Sequence, residues 1–442
     1  MWSLDPRRFG PWLNREYAAR KNEEAYDHVY VLHHPDEERP AARPLRTAPC
    51  YDRMKARGAQ FGQVNGWERP NYFAPEGFDD HAARSFRRGG WWEHAVREAR
   101  AIREGVGMID ATAFAKHRVK GPGAAAFLDW LTTNRLPKTG RINLTYALTE
   151  AGTVRTEFTI VRLGEDDFYV VSAGSAQAYD GDFLTRMAEA KRAEPGWIEV
   201  QDVSTQWGVF AVAGPRAREL LRPLVVDADP AAALSNKRFP WLSMRRIDLE
   251  MIPTMAIRVA YTGELGWELH HPIEMQNRLF DRLMAAGEDV GLTLVGARAQ
   301  NWLRQEKSYR AFGSDLGRDA SPLESGLDRF VDPAKDFRGK AAMEARGVKA
   351  RCVTLLIEGP PDADPWGREA LYAEGRDGPV GRLTSGGWSV AFGRSIGIGY
   401  VAPDLAAPGT RLKVKMLDAL HDAEVVAESP YDPENARIRA DA

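Results

Sequence analysis

The sequence predicts an α+β protein with two related halves and a C-terminal β domain. Val119-Lys-Gly-Pro122 runs into GAAAFLDWL, and Val212-Ala-Gly-Pro215 runs into RARELLRPL, so two strand–turn–helix segments resemble each other. In both segments the proline stands near the first turn of the helix, where its missing N–H is not needed. Further strands follow each helix, over 158–171 and 256–270. An internal duplication explains this better than two coincident Gly-Pro helix starts.

The N-terminal residues 1–72 are polar and rich in proline, arginine and aromatic residues, with little periodicity. They predict an extended segment with short helices that wraps around the rest of the chain and has no core of its own. From 91 to 103 (WWEHAVREARAIR) the apolar residues recur at helical spacing, with charges on the other face. We expect this helix to lie near the start of a middle region that spans 73–345.

The final region, 346–442, reads as short strands separated by turns. The stretches VGRLTSGGWSVAFGRSIGIGYV and PGTRLKVKMLD have the turn density of a small β-barrel or sandwich. Gly393, Gly397 and Gly399 lie among these β signals and lack dinucleotide-motif spacing, so we assign them to turns. Because no GxGxxG follows a strand and no GxxxxGK[ST] occurs, we expect the chain to hold no Rossmann-bound flavin or nicotinamide.

Charge, cysteine and histidine usage and hydropathy limit the classes of protein to which this chain can belong. The 60 basic and 62 acidic residues give a formal charge of -2, and no Lys/Arg run predicts a nucleic-acid partner. Cys50 and Cys352 are far apart and form no CxxC, and the nine histidines show no HExxH, so neither a disulfide framework nor a metal site is expected. With no signal-like N-terminus and no apolar run of bilayer length, we predict a cytoplasmic protein that does not enter a membrane.

A glycine bend interrupts the strand-like stretch 258–270, RVAYTGELGWELH. Gly263 and Gly266 break its alternation, and glycine in a strand pattern often marks a bulge or a close approach to the backbone. Tyr261 and Glu268 lie on either side of the bend, so both could face one cavity. A carboxylate there would accept hydrogen bonds from a heterocycle with N–H donors, and a tyrosine could stack on it.

Two further acidic stretches are candidates. Glu157 enters a strand in GTVRTEFTIVRL, and strand alternation places Phe158 on the opposite face. A surface carboxylate is the simpler alternative for Glu157. The stretch LRQEKSYRAFGSD contains the acidic residues Glu306 and Asp315. Its mixture of Arg304, Glu306, Lys307 and Arg310 could be no more than solvated ion pairs on a helix face.

Together these stretches resemble one family. They are similar, in order, to the tetrahydrofolate-dependent aminomethyltransferases, the T-protein of the glycine cleavage system, and most of all to the folate half of dimethylglycine and sarcosine dehydrogenases. The order of the motifs is specific, whereas each alone is weak. The motifs are GVGMIDATAFAKHRVKGPGAAAFLDWLTTN (105–134), LTEAGTVRTEFTIVRL (148–163), VAGPRA (212–217), RVAYTGELGWELH (258–270), LRQEKSYRAFGSDL (303–316) and SPLESGLDRFV (321–331).

The resemblance implies a three-domain ring of the aminomethyltransferase type around a central funnel that holds folate. It implies that Tyr261 contacts the pterin ring and that Glu268 hydrogen-bonds its amino-pyrimidine edge. Gly263 and Arg304 fall at further cofactor-binding positions. Glu157 matches the catalytic carboxylate, which is Asp in glycine-cleavage T-proteins and Glu in some dimethylglycine dehydrogenases.

The implied function is a tetrahydrofolate-dependent one-carbon transferase. Such a demethylase or demethylenase would move a methyl or methylene group from a small N-methyl, sulfonium or aryl-ether donor to tetrahydrofolate. The flavin half of the dehydrogenases has no counterpart in the sequence. The alternatives are therefore a folate subunit that works with a separate flavoprotein partner, or a folate-binding regulator without chemistry. The intact carboxylate, tyrosine and glutamate set argues against the regulator.

Overall fold

The computed structural model describes residues 10, 12–35, 37–79, 85–191 and 196–441. The helices among them are α1 Arg15–Asp27, α2 Tyr51–Lys55, α3 Trp91–Glu104, α4 Ala124–Leu131, α5 Gln177–Ala190, α6 Ala217–Leu221, α7 Pro230–Ala233, α8 Gln276–Gly287, α9 Ala297–Glu306 and α10 Lys340–Arg346. The strands are β1 Ala59–Val64, β2 Trp67–Phe73, β3 Gly107–Asp110, β4 Ala115–Lys120, β5 Ile142–Leu148, β6 Val154–Gly164, β7 Asp167–Ser172, β8 Glu199–Asp202, β9 Trp207–Ala213, β10 Met244–Leu249, β11 Ile252–Ile257, β12 Gly266–Pro272, β13 Thr293–Leu294, β14 Arg351–Ile357, β15 Ala370–Tyr372, β16 Gly381–Ser389, β17 Arg394–Val401, β18 Arg411–Met416 and β19 Ala419–Val426.

Two mostly antiparallel sheets share one strand order. The first runs β5-β6-β7-β4-β8, and the second runs β10-β11-β12-β9-β3-β13. In each sheet the strand before the Gly-Pro turn, β4 or β9, lies beside the third of three consecutive antiparallel strands. The helix after the turn is α4 in the first half and α6 in the second. The predicted pair of related α+β halves is therefore confirmed.

The two sheets meet through one face of each. Apolar side chains from both halves are buried at this contact, namely Ile142, Val161, Tyr169, Met255 and Ile257. The opposite face of the first sheet packs on α4 and α5, where Phe158 is fully buried. Because residues two apart on a strand share a face, Glu157 lies on the same face as Val161, toward the second half.

The C-terminal region is a closed barrel with the strand order β14-β17-β16-β15-β18-β19, as the sequence predicted. Its interior is filled by buried aliphatic residues such as Leu355, Leu383 and Val414. Helix α9 packs against β16, and a Cβ atom at Gly387 would lie only 2.3 Å from Cδ1 of Trp302 on that helix. The glycine therefore allows α9 and the barrel to approach each other closely.

The N-terminal region contributes a helix, α1, and an antiparallel hairpin of β1 and β2. Ala48, Cys50 and Met54 are buried and belong to the same core as β9 and β12 of the second half. This part of the chain therefore packs on a core built by residues far along the sequence. Across the described part of the chain, no helix combines the length and apolar character needed to span a bilayer.

Replacing Phe158 by alanine should destabilise the protein by about 3–5 kcal/mol, because a fully buried ring leaves a cavity in the first half. Phe114→Ala is the matched control, since this ring is 36% exposed and its loss should change the unfolding free energy by no more than about 0.5 kcal/mol. Guanidinium denaturation followed by circular dichroism measures both. Equal losses in the two variants would contradict the packing described here.

Candidate active site

Glu157 pairs with Tyr146 across two neighbouring strands. The two residues are directly opposite in the register of β5 and β6, and the Tyr146 hydroxyl donates to Oε2 of Glu157 at 3.1 Å. Tyr146 is buried, whereas Glu157 keeps partial access to solvent. Within the described residues, no other hydrogen bond reaches the Glu157 carboxylate, so Oε1 is free to meet a ligand.

Desolvation by the surrounding protein raises the pKa of Glu157 to about 7. The hydrogen bond from Tyr146 and the positive charge of Arg304 oppose this rise, and the negative charge of Asp315 adds to it. Near neutral pH the carboxyl is therefore present in both protonation states. This is the property expected of a group that accepts or returns a proton. The surface-carboxylate alternative does not fit these surroundings.

Tyr261 lies close to Glu157, since the two residues and Arg304 interact electrostatically. Its hydroxyl donates to the backbone oxygen of Arg310 at 3.1 Å, and its ring stacks on Tyr309 with the centroids 6.0 Å apart and the planes 20° apart. Burial raises the pKa of Tyr261 well above its ordinary value, so the hydroxyl stays protonated. Both rings keep partial access to solvent and can present their faces to a flat ligand.

Arg304 is almost completely buried, and its guanidinium is fully engaged by the protein. It donates to Oδ1 of Asn301, to the backbone oxygen of Tyr309, to the Asp315 carboxylate and to Oγ of Ser385. Five bonds use all five of its N–H donors. Arg304 therefore acts on Glu157 and Tyr261 through its positive charge. Direct cofactor binding by Arg304 stays a prediction.

The group that approaches Gly263 is a lysine of the same chain. The glycine has φ +81°, and a Cβ atom there would lie 2.3 Å from Cγ of Lys307. Lys307 is fully buried, as is Glu306 beside it. The charged stretch at the end of α9 is therefore buried, and the alternative of solvated ion pairs does not apply to it. Close contact with Lys307 accounts for Gly263, and its role at a cofactor stays a prediction.

Glu268 lies on β12, opposite Ile257 of the sheet contact, so it faces the first half as Glu157 faces the second. Its Oε2 is 3.2 Å from Nε2 of the buried His270, whose Nδ1 is 3.0 Å from the hydroxyl of Tyr169 on β7. The carboxylate keeps 22% of its side-chain surface exposed. It is therefore held in place on one side and accessible on the other.

The structure brings Glu157, Tyr261 and Arg304 together, and it places Glu268 on the facing sheet. Sequence reasoning missed Tyr146, which donates to Glu157, and Tyr309, which stacks on Tyr261. Asp315, which the sequence analysis noted in a charged stretch, proves to be bonded to Arg304. The cross-strand position of Tyr146 could have been found by pairing the two strand patterns. Within the described ranges, no three His, Cys, Asp or Glu side chains are grouped to hold a metal ion.

Comparison with protein families accounts for this architecture. Residues 50–335, well over half of the chain, match the model of the GCVT N-terminal domain. Residues 351–432 match the glycine cleavage T-protein C-terminal barrel domain. The chain belongs to the GCVT family, as the motifs indicated. Residues 1–48 match a different model, the FAD dependent oxidoreductase central domain.

Several curated relatives match almost the whole chain. Mitochondrial dimethylglycine dehydrogenase of Mus musculus is 35% identical over 443 residues, which cover 99% of this chain and 50% of that protein. The 4-methylaminobutanoate oxidase (formaldehyde-forming) of Paenarthrobacter nicotinovorans is 32% identical over 449 residues, which cover 99% of this chain and 52% of that protein. The chain thus spans about half the length of these relatives.

A solved structure shows the same fold. Aminomethyltransferase T of the glycine cleavage system from Bartonella henselae superimposes with a TM-score of 0.73 and 21% identity, over 88% of this chain and 99% of that one. The predicted fold class, with its two halves and C-terminal barrel, is confirmed.

Gly263→Ala should destabilise the protein more than Gly313→Ala. Both glycines have positive φ, which costs an alanine roughly 1–2 kcal/mol, but only the alanine at 263 would meet Lys307, whereas the space around Gly313 is open. The clash should add about 1–3 kcal/mol to the loss in unfolding free energy. Denaturant unfolding of the two variants measures the difference. Equal losses would mean that Lys307 moves aside freely.

Proposed function

We propose that the protein is a tetrahydrofolate-dependent one-carbon transferase that moves a methyl or methylene group from a small N-methyl, sulfonium or aryl-ether donor. The observation that carries the proposal is Glu157: a carboxyl with a pKa of about 7, bonded by Tyr146 and open on one oxygen. Membership of the GCVT family and the dehydrogenase and oxidase relatives support the same chemistry.

The residues of the site suit a reduced pterin. A pterin presents N–H donors along one edge, and Glu268 offers carboxylate oxygens that accept hydrogen bonds. The stacked rings of Tyr261 and Tyr309 offer flat apolar faces. Tetrahydrofolate, when bound, supplies the nitrogen that takes up the one-carbon unit.

The chain's own groups carry the rest of the chemistry. Glu157 in its ionised form stabilises positive charge that develops during transfer, and a carboxylate does this strongly where water is scarce. The same carboxylate accepts a proton on an oxygen, helped by a pKa near neutrality. Tyr146 keeps the carboxylate oriented through its 3.1 Å bond. The positive charge of Arg304 favours the ionised form of Glu157. The N–H donors of Arg304 are themselves bonded to other groups.

A second candidate is a folate subunit that works with a flavoprotein partner. The match of residues 1–48 to the FAD dependent oxidoreductase central domain favours it, as does similarity to sarcosine oxidase subunit alpha of Corynebacterium sp. (strain P-1). In that case the one-carbon unit would arrive as formaldehyde or an iminium made elsewhere.

An assay of the purified chain separates the two candidates. The protein is incubated with tetrahydrofolate and a panel of N-methyl, sulfonium and methoxy-aromatic donors, and in parallel with formaldehyde alone. Methylated or methylenated folate formed from a donor supports the self-sufficient transferase. If only formaldehyde gives a folate product, and gives it faster than in a control without protein, the result favours the subunit. If the protein binds no folate, both candidates are overturned.

Glu157→Gln should lower the turnover number on the order of 10²-fold while the affinity for tetrahydrofolate stays nearly constant, because the lost charge acts mainly during transfer. Glu157→Asp should be milder. Turnover of the wild type should rise with pH through about 7, as the carboxyl ionises, and the Gln variant should lack this rise. Steady-state kinetics from pH 5.5 to 8.5, a range of roughly 1.5 units around that pKa, measures both effects.

The same substitution has a stability signature that needs no substrate. Folding raises the pKa of Glu157 from 4.5 to about 7, so the folded state binds the proton more tightly. The free energy of unfolding should therefore fall as the pH rises between these two values, and Glu157→Gln should remove that part of the fall. Identical pH profiles of stability and of turnover in the two proteins would place the chemistry elsewhere.

Glu268→Ala should weaken tetrahydrofolate binding by roughly 1–3 kcal/mol, because the donors on the pterin edge would lose their acceptor. Glu274→Ala is the matched control, an exposed glutamate just beyond β12. Isothermal titration calorimetry on both variants measures the affinity. Unchanged binding in Glu268→Ala would remove this residue from the proposed site.

A further inference from the structure

The last described residues, 428–441, run from the barrel back to the second half. They follow β19 and end where Nη1 of Arg218 donates to the backbone oxygen of Ala440 at 2.7 Å and Nδ2 of Asn236 donates to that of Arg439 at 2.7 Å. We call this segment the strap. It crosses the loop 258–265 that carries Tyr261 between β11 and β12.

The strap bonds to Glu264, three residues after Tyr261. Glu264 is 1% exposed and accepts from the Tyr431 hydroxyl at 2.6 Å and from Nε of Arg437 at 2.7 Å. Among the residues that the structure describes, its third partner is Nη1 of Arg103 at 2.9 Å. A buried carboxylate is costly unless its charge is paired, so two of the three groups that hold this loop carboxylate come from the strap.

The strap also holds the lysine that packs on Gly263. Nζ of Lys307 donates to the backbone oxygens of Tyr431 at 3.1 Å and Asp432 at 2.6 Å and to Oδ1 of Asn435 at 3.0 Å. These bonds use all three ammonium protons. The lysine stem is therefore fixed at its tip, against the glycine that bends the loop.

The partner of the Tyr261 hydroxyl is held in the same way. Arg310, whose backbone oxygen accepts that hydroxyl, donates from Nη1 to Glu428 of the strap at 2.7 Å. Ile438 of the strap is 2% exposed and packs in one core with Ala260 of the loop. The strap thus contacts the loop and the group to which Tyr261 is bonded.

We propose that the strap positions Tyr261 for the ligand, with Tyr431 and Arg437 as positioning residues that act through Glu264. The inference rests on the proposed function only in naming tetrahydrofolate as the ligand. Holding the loop in its binding conformation before the ligand arrives removes an ordering cost from binding. Without the strap, the loop would have to be ordered at the moment of binding, and affinity would fall.

The test compares Tyr431→Phe and Arg437→Gln with Arg411→Gln. Arg411 is 77% exposed and pairs with Glu424 on the barrel, far from the loop in sequence, so its variant controls for loss of an ion pair. We expect Arg437→Gln to weaken tetrahydrofolate binding between about 10- and 100-fold, because the loop then has to be ordered when the ligand binds. Tyr431→Phe should weaken it less, Arg437→Lys should restore part of the loss, and Arg411→Gln should change nothing.

Hydrogen–deuterium exchange of the ligand-free protein gives a second measurement. Amides of 258–265 should exchange faster in Arg437→Gln, while peptides of the barrel strands exchange at the wild-type rate. Unchanged exchange in 258–265 would contradict the proposed positioning role of the strap, even if the melting temperature fell. If the wild-type protein binds no tetrahydrofolate, the proposed function fails. The exchange result alone then decides whether the strap holds the loop 258–265 in place.

Discussion

The buried guanidinium of Arg304 ties together three parts of the structure. Its five bonds reach the helix α9 through Asn301, the following loop through Tyr309 and Asp315, and barrel strand β16 through Ser385. A buried cation that lacks any of these partners is strongly unfavourable. The helix, the loop and the barrel therefore have to assemble in one arrangement. Arg304 acts electrostatically on both Glu157 and Tyr261, so the surroundings of these two residues depend on that arrangement.

The protonation of Glu157 reflects a competition that desolvation decides. Desolvation pushes the pKa up, while the hydrogen bond from Tyr146 and the nearby cation push it down. Arg304 is bonded to Asp315, whose negative charge acts on the pKa of Glu157 in the opposite direction to that of the cation. Desolvation therefore prevails, and the carboxyl titrates near neutrality.

The duplicated halves present carboxylates to each other in different surroundings. On the first sheet, Glu157 is bonded by a tyrosine of the neighbouring strand, and on the second, Glu268 is bonded to His270 two residues along its own strand. His270 also contacts Tyr169 across the sheet contact, so the second site depends on how the halves dock. The two halves thus give their facing glutamates different hydrogen-bond partners.

Local periodicity and turn chemistry determined much of the architecture from the sequence. The Gly-Pro helix starts, the barrel strands and the opposite faces of Glu157 and Phe158 all depend on neighbours a few residues apart, and the family motifs extended this to candidate site residues. Tertiary structure alone decided that Lys307 lies against Gly263 and that Tyr431 and Arg437 hold Glu264. A charged stretch has the same pattern whether its partners are water or residues more than a hundred positions away. Only folding brings a charged residue together with its distant partners. Folding also desolvates Glu157, and this raises the pKa of its carboxyl.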